Sequence, residues 1–187
     1  LAIAEGGLSA FTQTSLIKKQ GQTADRYQSA EYGLEEKLMK AREKAYNCLC
    51  DIVLGKSYSN LYLRKEINDF SSADKGLITN IVYGTMQNYL YLRYQWEAYV
   101  QSDIAADMAL LMDMSIYQFL FMDKVPEYAV VNEAVEIAAK KHKGKYKAMI
   151  NAMLRRFLRE GKRPILGDAL FQLSIKTSHP LWVVKMW

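Results

Sequence analysis

The chain has 187 residues, of which 50% are apolar and 24% are charged, and it carries a formal net charge of +5 at neutral pH. That length predicts one domain, or one domain with tails, and the apolar content excludes a disordered chain. No run approaches the length of about 18 consecutive apolar residues that a membrane-spanning helix needs, so the sequence predicts no such helix.

Residues 1–35 are polar and show no sustained hydrophobic period. The segment TQTSLIKKQGQTADRYQSAEYG contains Gly21 and Gly33 and is typical of a flexible leader, a foreign segment or a loosely attached arm. The sequence leaves these alternatives open, and we predict no fold for this part of the chain.

From about Glu35 the apolar residues recur with the 3.6-residue period of a helix, and Gly55 follows where a C-cap is expected. The only two cysteines, Cys48 and Cys50, stand two positions apart on this helix and therefore point to different faces. They are typical of ordinary buried or half-buried thiols in a reducing, cytoplasmic protein. A second, shorter helix is predicted near residues 58–67.

The next helical pattern begins after a capping serine. Ser71 or Ser72 is expected to be the N-cap, with Asp74 in the first turn, where a negative charge is favourable. The apolar period then continues to Val100 and predicts one long helix or two in tandem. Within it, Gly84 indicates close packing or a kink.

The segment IAADMALLMDMSIYQFLFMDKV is apolar on nearly every side, which predicts a central, buried helix. We expect Met114, Tyr117, Leu120 and Phe121 to lie in or near the core. Pro126 is expected to begin the helix that follows.

The last clear helical pattern, KGKYKAMINAMLRRFLREGK, ends at Gly161 and Pro164. Its apolar face is expected to consist of Tyr146, Met149, Ile150, Met153, Leu154 and Phe157. Pro180 then marks the start of another helix, with Ser178 as its possible cap. No strand is predicted, so the fold class is all-α, with six or seven helices in a compact domain.

Charge is distributed unevenly along the chain. Between positions 97 and 136 there are eight acidic residues and one basic residue, whereas between 140 and 163 there are ten basic residues and one acidic residue. A basic block of this kind attracts phosphate backbones or anionic surfaces. The alternative is a solvated helix face, but the clustering favours a polyanionic partner.

Sequence motifs for catalysis and metal binding are absent. His142 and His179 are far apart, and the chain has no Gly-rich phosphate loop, no Gly-x-Ser-x-Gly and no His-Glu-x-x-His. We therefore assign no catalytic, cofactor-binding or metal-binding residue. The residues alone indicate a binding module.

Four short motifs occur in order within two neighbouring helical segments. IYQFLFMDKVPEYAVVNEAVEIAAK contains a Tyr-Gln pair, Val-Pro and Val-Asn-Glu-Ala-Val, and KGKYKAMINAMLRRFLRE, which follows it, contains Asn-x-x-Leu. In this combination the segments closely resemble the NusB-like domain. KAREKAYNCLCDIV is similar to its first helix, with Ala-Arg-x-x-Ala, and DKGLITNIVYGTMQN to its third. The resemblance covers about residues 36–160 and implies a helical, RNA-binding domain over 36–163.

Two branches of this family compete. One is the free-standing transcription antitermination factor NusB, which binds a leader RNA together with a ribosomal protein. The other is the RsmB (Sun/Fmu) type of 16S ribosomal RNA methyltransferase, which carries the domain at its N-terminus. NAMLRRFLRE and SHPLWVVKMW resemble the second branch, so residues 164–187 are expected to begin the connection to a downstream domain.

The second branch implies a reaction that this chain does not perform alone. Such enzymes transfer a methyl group from S-adenosylmethionine to C5 of a cytosine, using cysteines in Pro-Cys and Thr-Cys motifs of a downstream Rossmann-like domain. Neither motif occurs here. The resemblance thus implies a cytoplasmic fragment that binds 16S ribosomal RNA, positions it, and docks onto its own methyltransferase domain.

We expect the RNA-facing surface on the last of these helices. At about 100° per residue, five basic side chains project within one arc of about 120°, opposite the apolar face. They are Lys145, Arg155, Arg156, Arg159 and Lys162. Arg42, in the Ala-Arg-x-x-Ala motif, is a sixth candidate, with pairing to a nearby glutamate as the alternative. A protein-interaction role, with the basic helix incidental, stays open.

Overall fold

The protein, for which we use a computed structural model, is described here over residues 41–55, 59–100 and 103–186. Within these ranges the chain forms nine α-helices, two short 3-10 helices and no strand. The all-α class expected from the sequence is confirmed. The leader predicted over residues 1–35 lies outside the described residues.

Seven of the helices fall within the span 36–163, for which six or seven were expected. The helices are α1 (described over 41–53), α2 (Ser59–Glu66), α3 (Ser72–Gln87), α4 (Tyr89–Trp96), α5 (Ala106–Phe121), α6 (Glu127–Lys140), α7 (Lys147–Glu160), α8 (Ala169–Thr177) and α9 (Leu181–Val184), and the 3-10 helices are Glu97–Tyr99 and His142–Gly144. None of the described helices is long and apolar enough to cross a membrane.

Local sequence signals fix the ends of α3. Ser71 is its N-cap, and the side-chain oxygen accepts a hydrogen bond from the backbone N–H of Asp74 at 3.2 Å. At the other end, the Asn88 side chain donates to the carbonyl of Gly84 at 2.9 Å. The predicted long helix therefore divides at Asn88 into α3 and α4, which is the tandem arrangement.

Helix α5 is the centre of the domain. Residues 108–118 are all buried, because α3, α4, α6 and α7 pack around the helix. Met114 and Tyr117 are buried as expected, and Leu120 is half-buried against the core. Phe121 is 47% exposed because α5 ends there, although its ring stacks on Tyr117 with 5.2 Å between the ring centres.

The two cysteines are structural thiols. Cys48 is buried and Cys50 is half-buried, and neither forms a disulfide. Burial raises the pKa of each thiol to about 11. Both therefore stay protonated and poorly nucleophilic near neutral pH.

Helix α8 was not predicted from the sequence. Both α8 and the segment that connects it to α7 pack on α4. The hydroxyl of Tyr94 donates to the carbonyl of Pro164 at 3.1 Å, and its ring meets Phe171 edge-on at 6.1 Å. Gln95 accepts from the backbone N–H of Arg163 at 2.7 Å and donates to its carbonyl at 3.3 Å. Residues 163–177 therefore pack directly on the helical domain.

Ser178 has a different role from the one predicted. It ends α8 in the left-handed conformation with φ 52°, and Pro180 itself is the N-cap of α9. The Ser178 hydroxyl accepts a hydrogen bond from the backbone N–H of Tyr91 at 3.1 Å. Because Tyr91 lies in the first turn of α4, Ser178 satisfies a donor that has no partner within that helix.

Gly84 allows α3 to cross α5 at very short range. The α3 helix runs through this residue without a break, so close packing, and not a kink, explains the glycine. A Cβ atom at this position would lie 2.1 Å from the hydroxyl oxygen of Tyr117. That hydroxyl donates to Asn80 of α3 at 2.6 Å, which holds the ring in place.

We predict that Gly84→Ala lowers the free energy of unfolding by about 1–3 kcal/mol, because Tyr117 must move out of its site. Gly76→Ala is the matched control on the same helix. Gly76 is exposed, and a Cβ atom there would meet nothing within 4 Å, so this change should be neutral or stabilising by about 0.5–1 kcal/mol. Urea denaturation of both variants measures the difference, and equal effects would contradict the close-packing account.

Candidate nucleic-acid interface

Helix α7 separates apolar and basic side chains onto two faces. Ile150, Met153, Leu154 and Phe157 are buried, with Tyr146 and Met149 packed against the same core. The predicted apolar face is confirmed. Three arginines on the opposite face are exposed, namely Arg155, Arg156 and Arg159.

The helical arc predicted for five basic residues holds for these three arginines only. Lys145 and Lys162 are exposed but lie outside α7, which begins at Lys147 and ends at Glu160. Lys145 follows the 3-10 turn His142–Gly144, and Lys162 follows Gly161, whose φ of 74° ends the helix. A spacing of 100° per residue therefore does not apply to either lysine.

Arg156 is held between an aromatic ring and a carboxylate. Its guanidinium carbon lies 4.1 Å from the centre of the Tyr99 ring, and its Nε atom donates to Glu160 at 2.9 Å. A hydrogen bond from Arg156 lowers the pKa of Glu160. Burial, together with a hydrogen bond to Glu160, raises the pKa of Tyr99. These three side chains therefore form one cluster at the edge of α7.

Arg155 and Arg159 are less constrained. Arg155 donates through Nε to the neutral side chain of Asn151 at 2.9 Å. Arg159 lies 3.6 Å from Glu160, and its side chain is 72% exposed. Both guanidinium groups therefore keep most of their donors for an anionic ligand.

A second basic patch lies at the turn between α6 and α7. Lys143, Lys145 and Lys147 are exposed, and α7 begins without an acidic residue in its first turn. The turn is fixed by His142, whose Nε2 atom lies 2.9 Å from both carboxylate oxygens of Asp107. The sequence signal for this patch was the same run of basic residues that marked α7.

Asp107 anchors that turn through its contact with His142. Burial alone would raise the pKa of its carboxyl, but hydrogen bonds from His142 and Tyr46 more than offset this, so the pKa lies below its ordinary value. The charged carboxylate therefore anchors the His142 side chain while the backbone of His142 and Lys143 adopts positive φ angles of 48° and 56°. Lys143, Lys145 and Lys147 are exposed at or just after this turn.

Arg42 does not join the exposed arginines. It is 3% exposed and forms a buried ion pair with Glu133, which is 8% exposed. The pair connects α1 to α6 and links the Ala-Arg-x-x-Ala segment to the Val-Asn-Glu-Ala-Val segment. This geometry corresponds to pairing with a glutamate, which was the alternative to a phosphate contact.

Tyr99 is the residue of this surface that no sequence pattern indicated. It lies 57 positions before Arg156, in the 3-10 helix Glu97–Tyr99. No local pattern connects the two positions, since their contact arises only when α4 and α7 pack on the same core.

Comparison with known proteins gives consistent matches. Residues 39–159 match the model of the NusB family. Over 158 residues the chain is 35% identical to a Bacillus subtilis protein named probable ribosomal RNA small subunit methyltransferase B, covering 81% of this chain and 35% of that protein. Over 152 residues it is 29% identical to ribosomal RNA small subunit methyltransferase B of Pseudomonas putida, covering 79% and 34%. The chain thus spans about a third of the length of these relatives.

We predict that Arg42→Ala lowers the free energy of unfolding by about 3–5 kcal/mol, because the buried carboxylate of Glu133 loses the cation with which it forms the ion pair. Lys140→Ala is the control, since Lys140 pairs with Glu43 at 2.8 Å between the same two helices, but with side chains 54% and 35% exposed. Loss of that surface pair should cost at most about 1 kcal/mol. In chemical denaturation, the double variant Arg42→Met, Glu133→Leu should regain most of the free energy of unfolding that Arg42→Ala loses. A small effect of Arg42→Ala would show that the pair is not a structural contact.

Proposed function

The chain belongs to the NusB family, and on that basis we propose that it is the RNA-binding and substrate-positioning module of an S-adenosylmethionine-dependent 16S ribosomal RNA (cytosine-C5) methyltransferase. The observation that carries the proposal is the row of exposed arginines on α7, opposite a face that is buried in the domain. The names of the relatives support the methyltransferase branch over a free-standing antitermination factor.

The arginine row suits a phosphate backbone. A guanidinium group can donate two parallel hydrogen bonds to phosphate oxygens, and it stays charged at every physiological pH. Since the apolar side of α7 holds the helix in the core, the arginines are presented on a rigid element. The lysines at positions 143, 145, 147 and 162 extend the positive surface beyond both ends of the helix.

The methyl transfer itself is assigned to the rest of the whole protein. The present chain supplies none of the residues for the cofactor or for attack on the base, and its role is to bind the ribosomal RNA in the cytoplasm and place it. S-adenosylmethionine, when bound to the downstream domain, supplies the methyl group.

Helices α8 and α9 are proposed to contact that downstream domain. One side of this segment packs on α4, whereas several large apolar side chains remain exposed. The exposed apolar residues are Leu166 (71%), Leu170 (44%), Leu173 (44%), Leu181 (36%), Trp182 (67%) and Met186 (77%). An exposed apolar patch of this kind is typical of an interaction site.

The docking proposal predicts slower amide hydrogen exchange over residues 169–184 in the whole protein than in this chain, because the proposed downstream domain would cover the segment. Residues of α2, such as those at positions 61–66, serve as the internal control and should exchange equally in both. Equal exchange over 169–184 would contradict the docking.

Because the cofactor site is assigned to another domain, we predict that the whole protein and this chain differ in their binding of S-adenosylmethionine. In calorimetry, S-adenosylmethionine should bind the whole protein and give no saturable heat with this chain, because the chain lacks a cofactor loop and the paired-cysteine motifs. Saturable micromolar binding to this chain would contradict the assignment of the cofactor site to the rest of the protein.

The RNA-binding proposal is tested by changing Arg155, Arg156 and Arg159 together to Gln. Affinity for ribosomal RNA fragments should fall, and the slope of log K against log salt should become flatter by up to roughly two units, at about 0.7 for each phosphate of a single strand that is no longer neutralised. The fold should be little affected, because these side chains face away from the core.

A matched control removes the same charge elsewhere. Lys65, Lys124 and Lys176 are exposed and lie on α2, after α5 and on α8, so changing all three to Gln also lowers the net charge by three. This variant should keep the affinity and most of the salt slope of the original protein. If both triple variants bind RNA as the original protein does, the basic face of α7 is only solvated surface, and a protein-interaction role becomes the better explanation.

A further inference from the structure

Arginines lie over aromatic rings at three places in the described part of the chain, and these places differ in how much of the guanidinium is left accessible. Arg93 lies over Tyr89 and Trp96, but it also makes two hydrogen bonds to the buried Asp113, and its side chain is 24% exposed. Arg163 lies over Tyr94 and donates to the backbone carbonyl of that residue at 3.0 Å. These two contacts are explained by the packing of the domain.

Arg156 is different because its side chain remains 45% exposed while its orientation is fixed. The guanidinium carbon lies over the Tyr99 ring, 4.1 Å from the ring centre, and the Nε atom donates to Glu160 at 2.9 Å. The ring of Tyr99 packs in turn against the core of the domain. A flat, weakly hydrated cation is therefore held against a ring that packs on the core, while nearly half of its side chain stays exposed to solvent.

From this geometry we propose that Tyr99 and Arg156 form a platform on which one unpaired RNA base stacks, so that the interface reads an exposed base as well as phosphates. The inference rests on the proposed function and adds to it the kind of nucleotide that the surface takes. Arginine planes and aromatic rings are the groups on which proteins stack unpaired bases. Since Arg156 is already oriented, little side-chain entropy is lost on binding.

The carboxylate of Glu160 decides in favour of a base over a phosphate at this position. A phosphate placed against Arg156 would also meet the negative charge of Glu160, which accepts from the same guanidinium. A base is neutral and lies on the face, where no carboxylate competes. The phosphates on either side would then contact Arg155 and Arg159, whose donors are more available.

The test compares two 12-nucleotide ligands that carry the same phosphates. One is oligoadenylate and the other is an abasic ribose-phosphate strand, each labelled at its 5′ end and titrated with this chain in fluorescence anisotropy. Because one stacked base contributes measurably to binding, the original protein should bind oligoadenylate about tenfold more tightly than the abasic strand.

Arg156→Lys keeps the charge and can still pair with Glu160, but it has no planar face. It should lose the preference for oligoadenylate over the abasic strand, while the salt slope stays the same because the charge is kept. Tyr99→Leu should act in the same direction, because Arg156 loses its support. Arg155→Lys is the control and should retain the preference, since Arg155 contacts Asn151 and no aromatic ring among the described residues.

The outcomes separate this inference from the proposed function. If the original protein binds both strands equally but with a clear salt dependence, or if Arg156→Lys keeps the preference, the platform is disproved while the RNA-binding module stands. If neither strand binds at any salt concentration, both fail. Arg156→Lys carries the test even if Tyr99→Leu does not fold.

Discussion

The buried carboxylate of Asp113 constrains how the rest of the domain is arranged. It lies at the centre of α5, fully buried, and a charge in that position must be paired and hydrogen-bonded. Burial raises the pKa of this carboxyl, while Arg93 donates to it at 2.6 Å and 3.2 Å and Trp96 donates at 2.7 Å. Because both donors belong to α4, the carboxylate fixes that helix against α5. The 3-10 helix that follows α4, and with it Tyr99, is positioned as a result.

The Arg42–Glu133 pair shows that a family motif need not mark a contact with ligand. Both residues belong to segments through which the chain resembles its relatives, yet the pair is buried between α1 and α6. A buried ion pair contributes little net stability compared with apolar packing, but removing one partner is costly. The pair thus joins α1 to α6 inside the domain, whereas the exposed arginines lie on α7.

Features encoded within a few residues were predictable from the sequence. The helical class and the two faces of α7 follow from periodicity, whereas the cap was narrowed to Ser71 or Ser72 and Gly84 to close packing or a kink, and the structure chose the first of each. Contacts between distant positions were not predictable in this way. The hydrogen bond from Tyr91 to Ser178 joins residues 87 positions apart, and the contact of Tyr99 with Arg156 depends on how two helices pack. The placement of Lys145 and Lys162 on the helical arc was wrong, because α7 begins at Lys147 and ends at Glu160 and both lysines lie outside it.

The charge that the domain presents to an anionic ligand differs from the charge counted along its sequence. In the acidic segment, Asp113 and Glu133 are buried and pair with Arg93 and Arg42, so these two carboxylates do not offset the basic surface. In the basic segment, Glu160 is the only acid, and it is engaged with Arg156. In the proposed interface, Arg155, Arg159 and the neighbouring lysines would therefore supply the long-range attraction, which extends about 8 Å at physiological salt. The charge of Arg156 is partly balanced by Glu160, so in the same proposal this residue would act by stacking at short range.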